Sequence, residues 1–336
     1  MSDTSAPWFE DLSVGDDFSD VPAVTVTDAH NVIHQAIFGD RLRLPIDHLL
    51  SKQVTGFEQA LANPSMVCNI AIGQSTIPSQ RVMGNLFYRG LVLQRPVFVG
   101  DTLTTTTRVV ALKQNRHKAG RPASGMVVLK IHMANQKGET VLEFWRCPMI
   151  PCRDPRAHTS HDDDFSIIPA EITQEALDAA VPGSWDISHL QSRPCNIEIG
   201  SMVKIEARDT VTLAPELVRL TLNMAMTHTD ANRSVYGKRL VYGGHTIAMA
   251  AAQISRVIPD LITILGWYHC DHVAPVFEGD ILRSQVTPLS LHPVTSGSIT
   301  VLQVETFGQR GNEAPESGDD IKVLDWCVAV LRGGKD

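Results

Sequence analysis

Residues 96–103, Pro96-Val97-Phe98-Val99-Gly100-Asp101-Thr102-Leu103, return 179 residues later as Pro275-Val276-Phe277-Glu278-Gly279-Asp280-Ile281-Leu282. The strand that follows is repeated as well: Val128-Leu129-Lys130-Ile131 with Gln136-Lys137-Gly138 is matched by Val301-Leu302-Gln303-Val304 with Gln309-Arg310-Gly311. A tryptophan closes each unit, Trp145 and Trp326. Two copies of one unit are fused in one chain. Fusion places two homologous surfaces face to face, as a two-fold dimer does with separate chains, and frees one copy to lose its chemistry.

Working outward from these words, each half carries a helical segment, 28–38 and 215–226, the second starting at Pro215, which suits a first helical turn. A second apolar segment follows, Pro64 to Ala71 in the first half and Gly243 to Val257 in the second, the latter Ala-rich with few polar residues to form a solvent face. Strand-like runs come next, at 86–93, 102–112, 126–134 and 140–150, and again at 263–269, 281–291, 298–307 and 321–331. Gly100-Asp101, Gly138-Glu139, Gly279-Asp280 and Gly311-Asn312 supply turns. A buried helix followed by four antiparallel strands, twice over, is an α+β pattern in which a sheet wraps a helix. The predicted organisation is a first unit over 1–152, a connecting segment over 153–195 with one short helix near 171–180, and a second unit over 196–336.

The 336 residues suffice for two cores, and 43% hydrophobic with 20% charged residues is an ordinary globular balance. A formal charge of −8 argues against broad nucleic-acid or anionic-membrane binding, which needs a concentrated basic face. No segment approaches the roughly 20 apolar residues that span a bilayer, and Met1 to Phe9 lacks a basic stretch followed by an apolar run, so a cytoplasmic protein is expected. Cys68, Cys147, Cys152, Cys195, Cys270 and Cys327 are scattered without CxxC or CxxH spacing, which predicts buried thiols and no zinc.

A strand-wrapped helix repeated twice, with these words, resembles the double hotdog fold of the MaoC-like hydratases, which act on acyl-CoA thioesters. The subgroup it is most similar to is mesaconyl-CoA hydratase, also called β-methylmalyl-CoA dehydratase. The residues carrying the resemblance are Phe9-Glu10-Asp11 with Val14-Gly15-Asp16, the Pro96–Leu103 word, Leu112-Lys113-Gln114-Asn115, and Arg239-Leu240-Val241-Tyr242-Gly243-Gly244-His245. The resemblance spans the chain apart from the connection and implies a hydro-lyase of enoyl- or 3-hydroxyacyl-CoA, with no cofactor beyond the CoA of the substrate.

In the (R)-specific hydratases of that superfamily, a loop word Asp-x-Asn-Pro-x-His holds and activates water, which requires a base near the operating pH and an acceptor to orient it. Here the second-half loop reads Asp230-Ala231-Asn232-Arg233-Ser234-Val235, and Val235 moves no proton. The first-half loop keeps Asp40 and places Pro45 where the histidine falls, so the dyad is incomplete in both. The resemblance also implies that the glycine opening the buried helix offers its N–H to the thioester carbonyl. That glycine is Gly243; its first-half counterpart is Pro64, which has no N–H. The helix start adds partial positive charge where an enolate oxygen develops.

The candidate catalytic residues are therefore Asp230, Gly243, Tyr242 and His245, the last placed where the helix dipole favours a neutral imidazole. The candidate substrate-binding residues are Asn232, His228, Gly244 and Arg239. Each has a plain structural reading beside it. Asp230 and Asn232 suit a capped loop, Gly243-Gly244 close helix packing, Tyr242 a staple, and His245 a satisfied core histidine. Arg43, Lys238 and Arg239 suit either CoA phosphates or solvent. Asp40 is expected to be structural, and His269 and His272, on the strand before Pro275, could line a pocket but carry no motif. Three functions compete: hydration or dehydration of an enoyl- or 3-hydroxyacyl-CoA, thioester hydrolysis, and acyl-CoA or lipid binding without turnover. A monomeric pseudo-dimer and a homodimer are both compatible with the fusion.

Overall fold

The computed structural model describes residues 6–118, 120–190, 195, 197–311 and 320–333. The first residues up to Ser5 and Asn312 of the last predicted turn lie outside them. The helices are α1 (Asp28–Phe38), α2 (Arg43–Ile46), α3 (His48–Thr55), α4 (Pro64–Gln74), α5 (Gln174–Ala180), α6 (Ala214–Leu220) and α7 (Gly243–Val257). The first-half strands are β1 (Val24–Thr25), β2 (Gly84–Leu93), β3 (Thr102–Gln114), β4 (Ser124–Ala134) and β5 (Thr140–Pro151). The second-half strands are β6 (Val203–Lys204), β7 (Asp209–Thr210), β8 (Leu261–His272), β9 (Ile281–Val294), β10 (Gly297–Gln309) and β11 (Ile321–Arg332).

All strand pairs are antiparallel and join in one sheet of order β1-β3-β4-β5-β2-β8-β11-β10-β9-β6, with β7 paired to β9. The two copies meet where β2 pairs β8, Tyr88 opposite Cys270 and Arg89 opposite His269. This is a double hotdog: two wrapped helices on one continuous sheet. α4 is buried at every position and α7 from Gly244 to Ser255, so neither shows a solvent face.

The repeated word is a repeated piece of local chemistry. Gly100 and Gly279 take left-handed φ values of 102° and 87°, which a side chain disfavours. In each copy the next aspartate accepts a backbone N–H three residues upstream, Phe98 N to Asp101 Oδ2 and Phe277 N to Asp280 Oδ2, both at 2.9 Å.

Two expectations change. Trp145 pairs with Lys130 and packs on the outer cluster of Ala111, Val128 and Cys147, whereas Trp326 pairs with Val304 and lies in the inner core. The two tryptophans are one register position apart, and one position flips a strand residue to the other face. The counterpart of Trp326 is Phe144, which pairs with Ile131. The helix expected over 215–226 stops at Leu220, because the Thr221 hydroxyl turns back to Leu217 O and Leu222 is left-handed at φ 55°. The connection is packed: Phe165 and Ile168 lie against the outer cluster, and Ile172, Leu177, Ala180 and Trp185 cover Ile262, Leu265, Ala329 and Leu331. Among the described residues, no helix is long and apolar enough to cross a membrane, and the cysteines are free, five of them buried.

Candidate active site

The two buried helices begin differently. At α4 the N-cap Asn63 side chain accepts from Ser65 N at 2.9 Å, and Pro64 removes a further donor. At α7 the N-cap Tyr242 makes no side-chain cap. The first N–H groups of α7 have no intrahelical acceptor, so they concentrate partial positive charge there.

The space in front of each helix follows the same asymmetry. A cavity of about 190 Å³ opens at Gly243, between the far end of α4, the start of β2, the end of β8 and the loop after α6. The corresponding space at Pro64 is about 20 Å³ and is lined in part by Ala180 and Pro182 of the connection. A cavity of about 150 Å³ accepts benzene, so the second-copy cavity has room for a short acyl group and the first-copy space has not.

The polar lining of the larger cavity includes Asn223, His228, Tyr242, His272, Arg146 and the Gly243 backbone. His228 Nδ1 lies 2.8 Å from Leu240 O and must donate to it, which leaves Nε2 as the basic nitrogen. Burial, opposed by that hydrogen bond and reinforced by the Arg146 charge, lowers the His228 pKa from 6.5 to about 4. His272 is lowered to about 4, by burial first, against the pull of Asp271 and with help from His228. Its Nε2 has no protein partner and lies against Gly243, where a Cβ would collide with it. Both rings are neutral at pH 7, free to accept a proton. The Tyr242 hydroxyl donates to Asn69 O at 3.0 Å, and burial raises its pKa well above 10. Among the described residues no Asp or Glu lines the cavity.

Of the candidates read from sequence, Gly243, Tyr242 and His228 line this cavity. The others do not. Asp230 is exposed and its Oδ1 accepts from the Asn232 backbone and side-chain nitrogens at 2.9 and 3.2 Å, so the two residues brace their own turn. His245 points away: its Nε2 donates to Thr212 O at 2.9 Å and its ring packs on Phe38. Gly244 lets α7 approach α4, since a Cβ there would collide with Asn69 Oδ1. Arg239 pairs with Glu278, Lys238 lies over the Phe277 ring, and Arg43 donates to Leu190 O in the first half. Asp40 is buried and holds Asn63 Nδ2 and Leu42 N, and His269 bonds Asp325 at the sheet.

Asn223, His272 and Arg146 were not signalled by the loop word. The register explains the first. His228 follows Asn223 by five residues, the Asp-to-His spacing of the hydratase word, so that word falls seven residues upstream of Asp230. Placed there it keeps its histidine and has Asn223 at the aspartate position. The fold supports this placement: Gly39 and Leu222 are both left-handed, and Asp40 and Asn223 directly follow them.

No family model matches the chain. The fold and cavity define a double hotdog protein with an acyl-sized space in front of its second buried helix. Among solved structures, the Mycobacterium tuberculosis protein RV0216, described as having a double hotdog fold, is 40% identical over 97% of this chain and 98% of its own, with a TM-score of 0.89. Among characterised proteins, β-methylmalyl-CoA dehydratase of Chloroflexus aurantiacus is 28% identical over 96% of each chain. Mesaconyl-CoA hydratase of Cereibacter sphaeroides is 27% identical over 94% of this chain and 92% of that protein. With RV0216 the chain belongs to the double hotdog proteins, and it is similar over nearly its whole length to these two CoA-thioester hydro-lyases.

Proposed function

We infer that the chain is a hydro-lyase of a short enoyl-CoA or its 3-hydroxyacyl-CoA, acting in the second-copy cavity. The observation that carries this reading is the uncapped start of α7 at Gly243 opening on a cavity with two neutral histidines, opposite a first-copy helix that is capped and fronts only about 20 Å³ of space. The two CoA-thioester hydro-lyases matched over nearly their whole length support it.

In this reading the thioester carbonyl accepts from Gly243 N–H, where the helix dipole stabilises the enolate oxygen. His228 Nε2 takes a proton from water as its oxygen bonds to C3, and the electron pair of the C2–C3 double bond moves toward the carbonyl. The enolate then collapses and C2 takes up the proton that His228 Nε2 received from the water, which returns the imidazole to neutral and completes the net addition of water. Asn223 stands where the hydratase word has its acid, so orientation of the water falls to an amide, whose buried Nδ2 has no protein partner. Thioester hydrolysis by related hotdogs uses an acidic residue at the helix start, and none of the described lining residues is acidic. CoA enters as part of the substrate, and no further cofactor is required. Purified protein incubated with short enoyl-CoAs should remove the absorbance of the conjugated thioester; free CoA without a hydroxyacyl product would point to hydrolysis instead, and binding without turnover to a carrier.

A further inference from the structure

We propose that His272 is a second oxyanion donor, its Nε2–H joining the Gly243 N–H on the thioester carbonyl oxygen as that oxygen becomes an enolate. This rests on the hydro-lyase reading and adds a catalytic residue to the same site. His272 ends β8 and lines the cavity beside Gly243. Its Nε2 is buried without a partner in the protein and lies under 3.0 Å from where a Cβ on Gly243 would stand. A Cβ is about 2.5 Å from its own backbone nitrogen, so Nε2 and Gly243 N are no more than about 5.5 Å apart. One oxygen about 2.9 Å from each nitrogen bridges that separation. A buried N–H left unpaired costs stability, and a carbonyl between the two nitrogens satisfies it. The ring is neutral at pH 7 because burial lowers its pKa to about 4, so it offers a hydrogen bond and keeps its proton.

The repeat carries its own control. At the displacement of 179 residues, His272 corresponds to Leu93 just as Gly243 corresponds to Pro64. The ladder agrees: Leu93 pairs with Leu142, two residues before Phe144, and His272 pairs with Leu324, two residues before its counterpart Trp326. Leu93 also stands before its own helix start, in the lining of the small space at Pro64. The copy whose helix opens with an N–H has an imidazole beside it, and the copy without that N–H has a leucine. Both donors are present together or absent together. The strand does not demand a histidine, since leucine fills the same register position, and packing against Tyr88 gives the ring no reason to accompany the amide. A donor aimed where charge develops acts on the transition state more than on the bound substrate, so its loss falls on kcat.

The test reads turnover and the carbonyl separately. His272→Leu, which installs the first-copy residue, should lower kcat for crotonyl-CoA by about 10²–10³ with KM within about threefold, and His272→Gln, which keeps an amide donor, should recover at least about tenfold of that loss. A kcat for His272→Leu within about threefold of wild type, or equal rates in the two variants, overturns the proposal. The second measurement is the infrared carbonyl stretch of crotonyl-CoA, carrying ¹³C at the thioester carbon and bound to His228→Ala, in which turnover is slowed. Its displacement to lower frequency should shrink on adding His272→Leu and persist on adding His272→Gln. Should wild type hydrate nothing, a displacement that depends on the side chain at 272 upholds the donor while the hydro-lyase reading fails. A displacement indifferent to that side chain, or none at all, overturns the donor whether or not water is added.

Discussion

Lowering the pH from 7.5 to 5.5 should destabilise the protein through two histidines outside the cavity. His34 and His245 are 1% and 0% exposed, and burial lowers each from 6.5 to about 4. For His34 the nearby Asp40 opposes the shift and His245 adds to it; for His245 the bond to Thr212 O opposes it. Because the folded pKa lies below the unfolded one, the stability is fully present above pH 6.5. It is lost as pH falls toward 4, where both states become protonated. At pH 5.5 the unfolded chain binds nearly one proton more per histidine, which costs about 1 kcal/mol or slightly more each relative to pH 7.5, or roughly 3 kcal/mol for the pair. With an unfolding entropy of about 2.1 cal/mol/K per residue, that is a fall of about 4 °C in melting temperature, and the two cavity histidines act in the same direction. Urea unfolding at half-unit pH steps measures the slope directly. The double variant His34→Asn, His245→Asn should take up about two fewer protons on unfolding at pH 5.5. An unaltered slope would refute the assignment of these rings as buried and neutral.

Other consequences concern the cavity. Gly243→Ala drives a methyl into His272 and, by displacing the N–H that alanine keeps, should lower kcat/KM toward the roughly 100-fold cost of a lost oxyanion donor, with a folded far-UV spectrum; a double variant no slower than His272→Ala alone would show that the crowding is at that ring. His228→Ala should cost about 10²–10⁴ in kcat, whereas Asp230→Ala, exposed and bonded only within its own turn, should stay within about threefold of wild type; the opposite ranking would restore the loop word to Asp230. With His228 held at about 4, initial rates of the free enzyme should be flat from about pH 5.5 to 8, and an inflection near 6.5 would show an ordinary exposed histidine acting as base.

The repeat was legible because its chemistry is local: a left-handed glycine and an aspartate reaching three residues back look the same wherever they occur, as at Gly100-Asp101 and Gly279-Asp280. The buried helices and strand runs were legible for a similar reason, since composition and period act over a few residues. The inequality of the copies could also be read, from Pro64 against Gly243. What sequence spacing misplaced was the loop register, because the true end of α6 depends on Thr221 and the left-handed Leu222, and a leucine gives no sign of that conformation. His272 could be named from the sequence but carried no motif, and Arg146 was invisible, for a different reason. Each is brought to the cavity from a strand by pairing across the sheet, and nothing local distinguishes Arg146 from an exposed strand arginine until Val328 is found at the matching position. The false equivalence of Trp145 and Trp326 has the same origin, a shift of one residue that only the ladder reveals.

The central claim is that water is added across a CoA-bound double bond at Gly243 and His228. Mass spectrometry of wild type and His228→Ala, each incubated with short enoyl-CoAs in isotopically labelled water, examines it directly. Wild type should yield a 3-hydroxyacyl-CoA heavier by one labelled water with the thioester intact, and the variant should not. Unchanged thioesters, or label appearing only in a released carboxylic acid, would contradict it.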